Sequence, residues 1–387
     1  MTTELHFEHQ LLRARSHLIE RVTATLFSLE VTEFGLEGVL GNALAAAAVQ
    51  RLEPSFDGRR WIEAAVDWIN DHGVEPGLYG LGGLGMVVQL YDPGENELLV
   101  SFDNSLLLHL PRLTPGDWHF GHGGLAVYAS LRAHAPSGDR LLLALKQEIT
   151  SAGRLTAQGT LWPLFNHERQ RVTMGAAHGH TGTLLGLAIL SRAGHMDVNP
   201  LIEAGLQTLW RFQRSAPNRF GWFYESEQDK EPKPHRPGSW CWGDPGVLRG
   251  AYLAAQVCGD KVSEARALTL AKEDATAWLS TIPPGETGLY GMCCGCSISA
   301  HIYRRYYRET KDPVFLAASD HIFAACLEAV DKMEELSFQH GKLGVLLALL
   351  YAASDIEPEW DMIRGISLPK IPTTESGAAK YPIWPTK

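Results

Sequence analysis

Ser239-Trp240-Cys241-Trp242-Gly243-Asp244-Pro245-Gly246 runs directly into the apolar Val247-Leu248-Arg249-Gly250. A glycine-bounded turn with proline just inside the segment that follows reads as the start of a helix. The same plan recurs along the chain. Gly82-Gly83-Leu84-Gly85 leads into Met86-Val87-Val88, and Gly121-His122-Gly123-Gly124 leads into Leu125-Ala126-Val127. Gly179-His180-Thr181-Gly182 leads into Thr183-Leu184-Leu185, and Gly341-Lys342-Leu343-Gly344 leads into Val345-Leu346-Leu347. Gly38-Val39-Leu40-Gly41 precedes the small-residue run Asn42–Ala48, and Gly295-Cys296-Ser297-Ile298 fills the remaining slot with isoleucine at the second glycine. These are seven units, and a period of roughly 40 to 65 residues indicates a closed or stacked array.

Between the turns lie segments with apolar residues at helical spacing, such as 4–29, Arg59–Asn70, Asn199–Arg214, Val262–Ser280 and Pro313–Lys332. A helix apolar all round belongs inside and an amphipathic one outside. The pattern therefore predicts an all-α fold: an α/α toroid of seven inner and seven outer helices, organised as one domain over residues 1–387. Only Glu97–Leu110 and Arg219–Glu225 read as extended. The tail from Ile356, with Pro358, Pro369, Pro372, Pro382 and Pro385, is expected to be irregular and laid along the surface.

Composition removes several function classes. The chain has 387 residues, 45% of them hydrophobic and 20% charged, as in an ordinary globular protein. A net charge of -10 argues against nucleic acid, which needs clustered Lys and Arg. Six cysteines, two of them adjacent, are no secreted disulfide framework in a chain of this size. Met1-Thr2-Thr3-Glu4-Leu5-His6 lacks the order of a signal peptide. No apolar run approaches the roughly twenty residues of a membrane span, so a cytoplasmic location is expected.

Three of the cysteines flank two of the glycine turns: Cys241, Cys293 and Cys294. If the inner helices are parallel, all the turns lie at one end of the ring, and these thiols meet there across fifty residues of sequence. Soft thiolates suit a borderline metal, and a catalytic zinc uses three protein ligands with the fourth position open. The spacing is not that of a zinc finger. Three unpaired thiols, or a strained disulfide between Cys293 and Cys294, also satisfy it.

With Ala177-His178-Gly179, the W-C-x-G-x-P-G run Trp240–Gly246 and the triplet Cys293-Cys294-Gly295 in their slots, the chain resembles the lanthipeptide (lantibiotic) synthetase component C family over roughly residues 35–355. That resemblance implies an α/α toroid with a zinc ion at one end of its cavity. It implies a cyclase that adds cysteine thiols of a dehydrated, leader-bearing precursor peptide to dehydroalanine or dehydrobutyrine, forming (methyl)lanthionine rings, with a dehydratase as a candidate partner. It assigns zinc to Cys241, Cys293 and Cys294, the last standing where histidine is usual, although a subset of such cyclases carries Cys-Cys-Gly. His178 falls on the acid-base histidine, and Asp117 on the aspartate of D-x-x-x-G-x-x-G (Asp117–Gly124). Trp242 follows the first zinc cysteine where tyrosine or histidine is common, and an arginine expected four residues before it falls on Pro237, one step from Arg236.

The chemistry accounts for these residue types. A thiol with an ordinary pKa near 8.5 must become a thiolate to add to the alkene. The resulting enolate must then be protonated, a task suited to histidine. Each assignment has a plainer rival. Asp117 fits an N-cap as well as a catalytic role. His122, His180 and His340 read as structural or solvated. Cys258 and Cys326 read as core and Cys296 as packing. Phe220-Gly221-Trp222-Phe223-Tyr224 fits core packing better than a substrate groove. Three other functions stay open: glutathione addition to dehydroamino acids in damaged proteins, a non-catalytic peptide scaffold with structural zinc, and a glycosidase using a pair from Asp117, Asp244 and Glu286.

Overall fold

The computed structural model describes residues 4–29, 33–94, 96–162, 164–165, 170–216, 219–224, 233–234, 238–281 and 290–370. In chain order the helices are α1 (Glu4–Ser28), α2 (Val39–Leu52), α3 (Arg59–His72), α4 (Leu81–Tyr91), α5 (Asn96–His109), α6 (His122–Leu131) and α7 (Pro136–Ala152). They continue as α8 (His180–Arg192), α9 (Asn199–Arg211), α10 (Asp244–Cys258), α11 (Lys261–Leu279), α12 (Cys296–Thr310), α13 (Pro313–Ala329) and α14 (Lys342–Ala352). The even-numbered helices form the inner ring, each beginning within its glycine turn. The odd-numbered ones form the outer ring, and α1 closes the circle by packing on α14. The result is an α/α toroid.

Side-chain size explains the inner ring. In α2, Ala43, Ala45, Ala46 and Ala48 are all fully buried, and small side chains let neighbouring helices approach on every side. The second glycine of several turns is needed for a different reason. A Cβ on Gly246 would lie 2.0 Å from the carbonyl oxygen of Trp240, and one on Gly124 would lie 1.9 Å from that of Trp118. In both cases the chain folds back on the carbonyl six residues earlier as the helix begins. Gly246→Ala is therefore expected to destabilise the protein by about 3 kcal/mol, as for an overpacked core. A denaturant midpoint unchanged from the parent would refute this account of the repeat.

The structure departs from the sequence reading in several places. Glu97–Leu110 is not extended, because α5 occupies Asn96–His109. Leu99, Phe102 and Leu106 recur at helical spacing and are buried there, which outweighs the local strand propensity. Arg219–Glu225 does contain a strand. β5 (Gly221–Tyr224) belongs to a four-stranded antiparallel sheet with β3 (Leu164–Phe165), β4 (Gln170–Thr173) and β6 (Lys233–Pro234), while β1 (Arg154–Thr156) and β2 (Gly159–Leu161) form a separate hairpin. Pro313–Lys332 is apolar and long enough to cross a membrane, contrary to the sequence reading, with half of its apolar window buried inside the protein. Its buried face, with Phe315, Ile322, Phe323 and Cys326, packs on α11, α12 and α1.

The largest departure is the tail. Residues 358–369 are mostly buried and do not lie along the surface, while the rest of the tail, with Pro372, Pro382 and Pro385, lies outside the described residues. Glu359–Arg364 forms a 3-10 helix, and Trp360, Asp361, Ile363, Arg364 and Ile366 are fully buried. The segment contacts the inner helices around it. Asp361 pairs with His301 and Arg305 of α12 at 3.0 Å each, and Arg249 of α10 donates to the Ile366 carbonyl at 2.8 Å. The Trp118 indole N–H donates to the Ile363 carbonyl at 2.9 Å. Burying isoleucine side chains is worth about 2 kcal/mol each, and this draws the segment into the ring's axis. It also accounts for the buried His301 and Arg305 of the inner helix α12, while the buried Arg304 beside them pairs with Asp320 of α13 at 2.8 Å.

Candidate active site

The glycine turns are stitched to one another by backbone hydrogen bonds. Tyr79 N–H donates to the His119 carbonyl at 3.0 Å, Trp118 N–H to Ala177 at 2.8 Å and Ala177 N–H to Cys241 at 3.2 Å. Trp240 N–H donates to Cys293 at 3.2 Å, and Met292 N–H to Gln339 at 2.9 Å. This chain of contacts brings residues that are far apart in sequence to one end of the toroid.

Cys241, Cys293 and Cys294 meet there as free thiols. The Cys294 Sγ lies 3.7 Å from that of Cys241 and 3.6 Å from that of Cys293, and all three sulfurs lie within 4.8 Å of one another. Tetrahedral zinc with Zn–S bonds of about 2.3 Å sets sulfur pairs about 3.8 Å apart, so the donor set fits. Contacts with Cys241 and Cys293 hold the Cys294 thiol below the usual range, while contacts with Cys293 and Cys294 together with burial hold Cys241 well above it. The N-termini of α10 and α12 follow within a few residues, and their dipoles favour anionic sulfur. Among the described residues no fourth His, Cys or carboxylate joins the cluster.

His178 and Asp117 meet across an antiparallel bridge between their loops. His178 Nδ1 lies 2.6 Å from Asp117 Oδ2, and a carboxylate there holds the ring with Nδ1 protonated and Nε2 free. The other oxygen, Asp117 Oδ1, accepts from the backbone N–H groups of His119 and Phe120 at 2.8 Å each. Asp117 thus serves both of the roles weighed for it, holding its own turn and orienting the imidazole. Trp242 packs 5.0 Å from the His178 ring.

A cavity of about 800 Å³ contains Cys241, Cys293, Cys294, His178 and Trp242 in its wall. Its wall also includes Glu33, Glu37 and Glu75 with Phe34 and Phe120, and among the described residues no lysine or arginine lines it. Phe120 is half exposed, a large apolar side chain beside the cavity.

The plainer readings hold for most of the other candidates. His122 Nε2 bonds the Leu110 carbonyl and His180 Nε2 the Gly205 carbonyl, both buried. Cys326 and Cys296 are buried, and Phe220 and Phe223 are core. Asp244 is committed to Arg219 at 2.7 Å, and Arg236, Pro237 and Glu286 lie outside the described residues. His340 does line the cavity, 2.9 Å from Glu37. Three groups escaped the sequence reading. His119 stacks 3.6 Å from Tyr79, and burial, followed by the charges of His178 and Arg364, pulls its pKa well below the usual range. Arg364 comes from the tail, where the apolar run Trp360-Asp361-Met362-Ile363 was the available sign of burial.

The sequence pattern of the family described as lanthionine synthetase C-like protein matches residues 35–364. Among solved structures, nisin cyclase superimposes with a TM-score of 0.70 at 16% sequence identity, covering 93% of this chain and 98% of that one. At that identity the likeness shows the fold.

Proposed function

The chain belongs to the lanthionine synthetase C-like family, and from that premise we propose that it is a zinc-dependent cyclase forming (methyl)lanthionine rings in a dehydrated, leader-bearing precursor peptide. The observation that carries the reading is one cavity onto which both the three-cysteine cluster and His178, held from behind by Asp117, open. Zinc held by Cys241, Cys293 and Cys294 would keep an incoming peptide thiol as thiolate at its open fourth position. A thiolate sulfur adding to the alkene Cβ would form the C–S bond while the alkene π electrons move onto the adjacent carbonyl as an enolate. The proton released by the peptide thiol would be taken up at His178 Nε2, on a ring oriented by Asp117, and would pass from there to Cα, so that no proton is gained or lost overall. Among the described residues no fourth protein ligand joins the cluster, which speaks against a purely structural zinc in a scaffold.

Glutathione addition would use the same cysteines. The lining favours peptide: Glu33, Glu37 and Glu75 repel the carboxylates of glutathione, and among the described residues no lysine or arginine lines the cavity to receive them. Ring closure leaves the mass unchanged and consumes thiols. Zinc-loaded protein incubated with a dehydrated precursor is thus expected to remove thiols that a maleimide would otherwise label. Unchanged labelling, together with glutathione adducts on a dehydroalanine peptide, would select the other reaction. We place a dehydratase as the supplier of the substrate, because the alkenes must be made before any thiol can add to them.

A further inference from the structure

The segment that fills the toroid's axis delivers one charged residue to the back of the cysteine cluster. Arg364 is fully buried. Its guanidinium donates to the Tyr79 hydroxyl and to Gln339 Oε1 at 3.1 Å, with His119 Nε2 at 3.4 Å. Its Cζ lies 5.0 Å from the Trp240 ring centroid, on the residue that precedes Cys241. Every one of these partners is neutral. Among the described residues no carboxylate pairs with Arg364, and its Nε has no hydrogen-bond partner. A buried cation without an opposite charge is strongly destabilising. Tyr79, His119 and Gln339, the groups Arg364 meets, stand in the same cavity wall as Cys241, Cys293 and Cys294.

Metal binding deprotonates its thiol ligands. Three thiolates around a divalent ion leave a net charge of -1, and a substrate thiolate takes it to -2. A neutral histidine in place of the third thiolate would leave the resting centre uncharged. We propose that Arg364 is the built-in counter-charge of a three-thiolate centre, so that metal binding and the seating of residues 359–366 are one coupled event. The segment is suited to such coupling. Gly365 has a φ of 60°, and a Cβ there would meet Leu185 at 2.8 Å and Trp118 at 3.0 Å. Arg364 therefore cannot shift without unseating its neighbours. The inference rests on the zinc reading above but not on the cyclase reading.

The test uses the full chain and zinc alone. Zinc affinity is measured by competition with a chromogenic chelator for the parent, Arg364→Met, Cys294→His and the double variant, each shown folded by circular dichroism. Arg364→Met is expected to weaken zinc by about 10- to 100-fold in the parent, the usual effect of losing an outer-shell partner. In the Cys294→His background the same change is expected to cost less than about threefold, because coupled sites are not additive. Equal losses in the two backgrounds, or none in the parent, overturn the proposal. Hydrogen exchange on the unaltered protein supplies a second arm. Removing zinc is expected to speed exchange of the 359–366 amides at least about tenfold while α3 is unchanged; unchanged protection overturns the coupling even if Arg364→Met does not fold. A parent that binds no zinc overturns both this proposal and the zinc reading. A parent that binds zinc and shows the coupling, yet closes no rings, overturns only the cyclase reading.

Discussion

Cys241→Ala and Cys293→Ala are each expected to reduce bound zinc from roughly one equivalent per chain to a small fraction of that, and to slow ring closure by about 10³-fold or more. The two thiols are buried and their sulfurs belong to one cluster. Removing either leaves two soft ligands and a void that no neighbouring side chain fills, since no fourth metal-binding group joins the cluster among the described residues. Cys294→Ala should behave in the same way. Cys258→Ala and Cys326→Ala should retain the metal, because neither belongs to the cluster. Elemental analysis of the purified proteins decides the matter. Full zinc in the Cys294→Ala protein would remove that residue from the ligand set, and full zinc in all three variants would remove the metal centre from the mechanism.

His178→Gln is expected to keep zinc and the fold while ring closure falls by about 10²- to 10⁴-fold, the usual contribution of a positioned acid or base. The rate alone does not separate this role from a packing role, since His178 also touches Trp242 and Phe120. Stereochemistry does. A proton delivered from one fixed Nε2 reaches one face of the enolate, whereas solvent reaches both. The slow product of the glutamine variant should therefore be a mixture at Cα, where the parent gives one isomer. Asp117→Asn should show a smaller loss, about 10- to 100-fold, because it loosens the ring's orientation without removing the donor. A glutamine variant that closes rings at the parental rate with a single isomer would end the assignment of His178.

Much of the architecture was already legible in the chain. The glycine turns mark the start of each inner helix, because a side chain at Gly246 or Gly124 would collide with a carbonyl six residues earlier. That is a local constraint, and local constraints show in sequence. The apolar segments behind the turns and the amphipathic ones between them say which helix lies inside. Cys241, Cys293 and Cys294 were legible as candidates for the same reason, since each sits in or beside a turn whose place in the repeat is fixed, whereas His178 and Asp117 were singled out only by the family resemblance. Their convergence needed the tertiary structure: the hydrogen bonds that join loop to loop, such as Trp240 to Cys293 and Trp118 to Ala177, connect residues with no sequence relation. The tail was decided only there. Five prolines suggested an irregular surface tail, yet Trp360, Ile363 and Ile366 have an apolar hole to fill at the ring's axis, which exists only once the inner helices are in place. Arg364 follows them in, and its position behind the cysteines is a property of the closed ring, to which no local pattern in the chain refers.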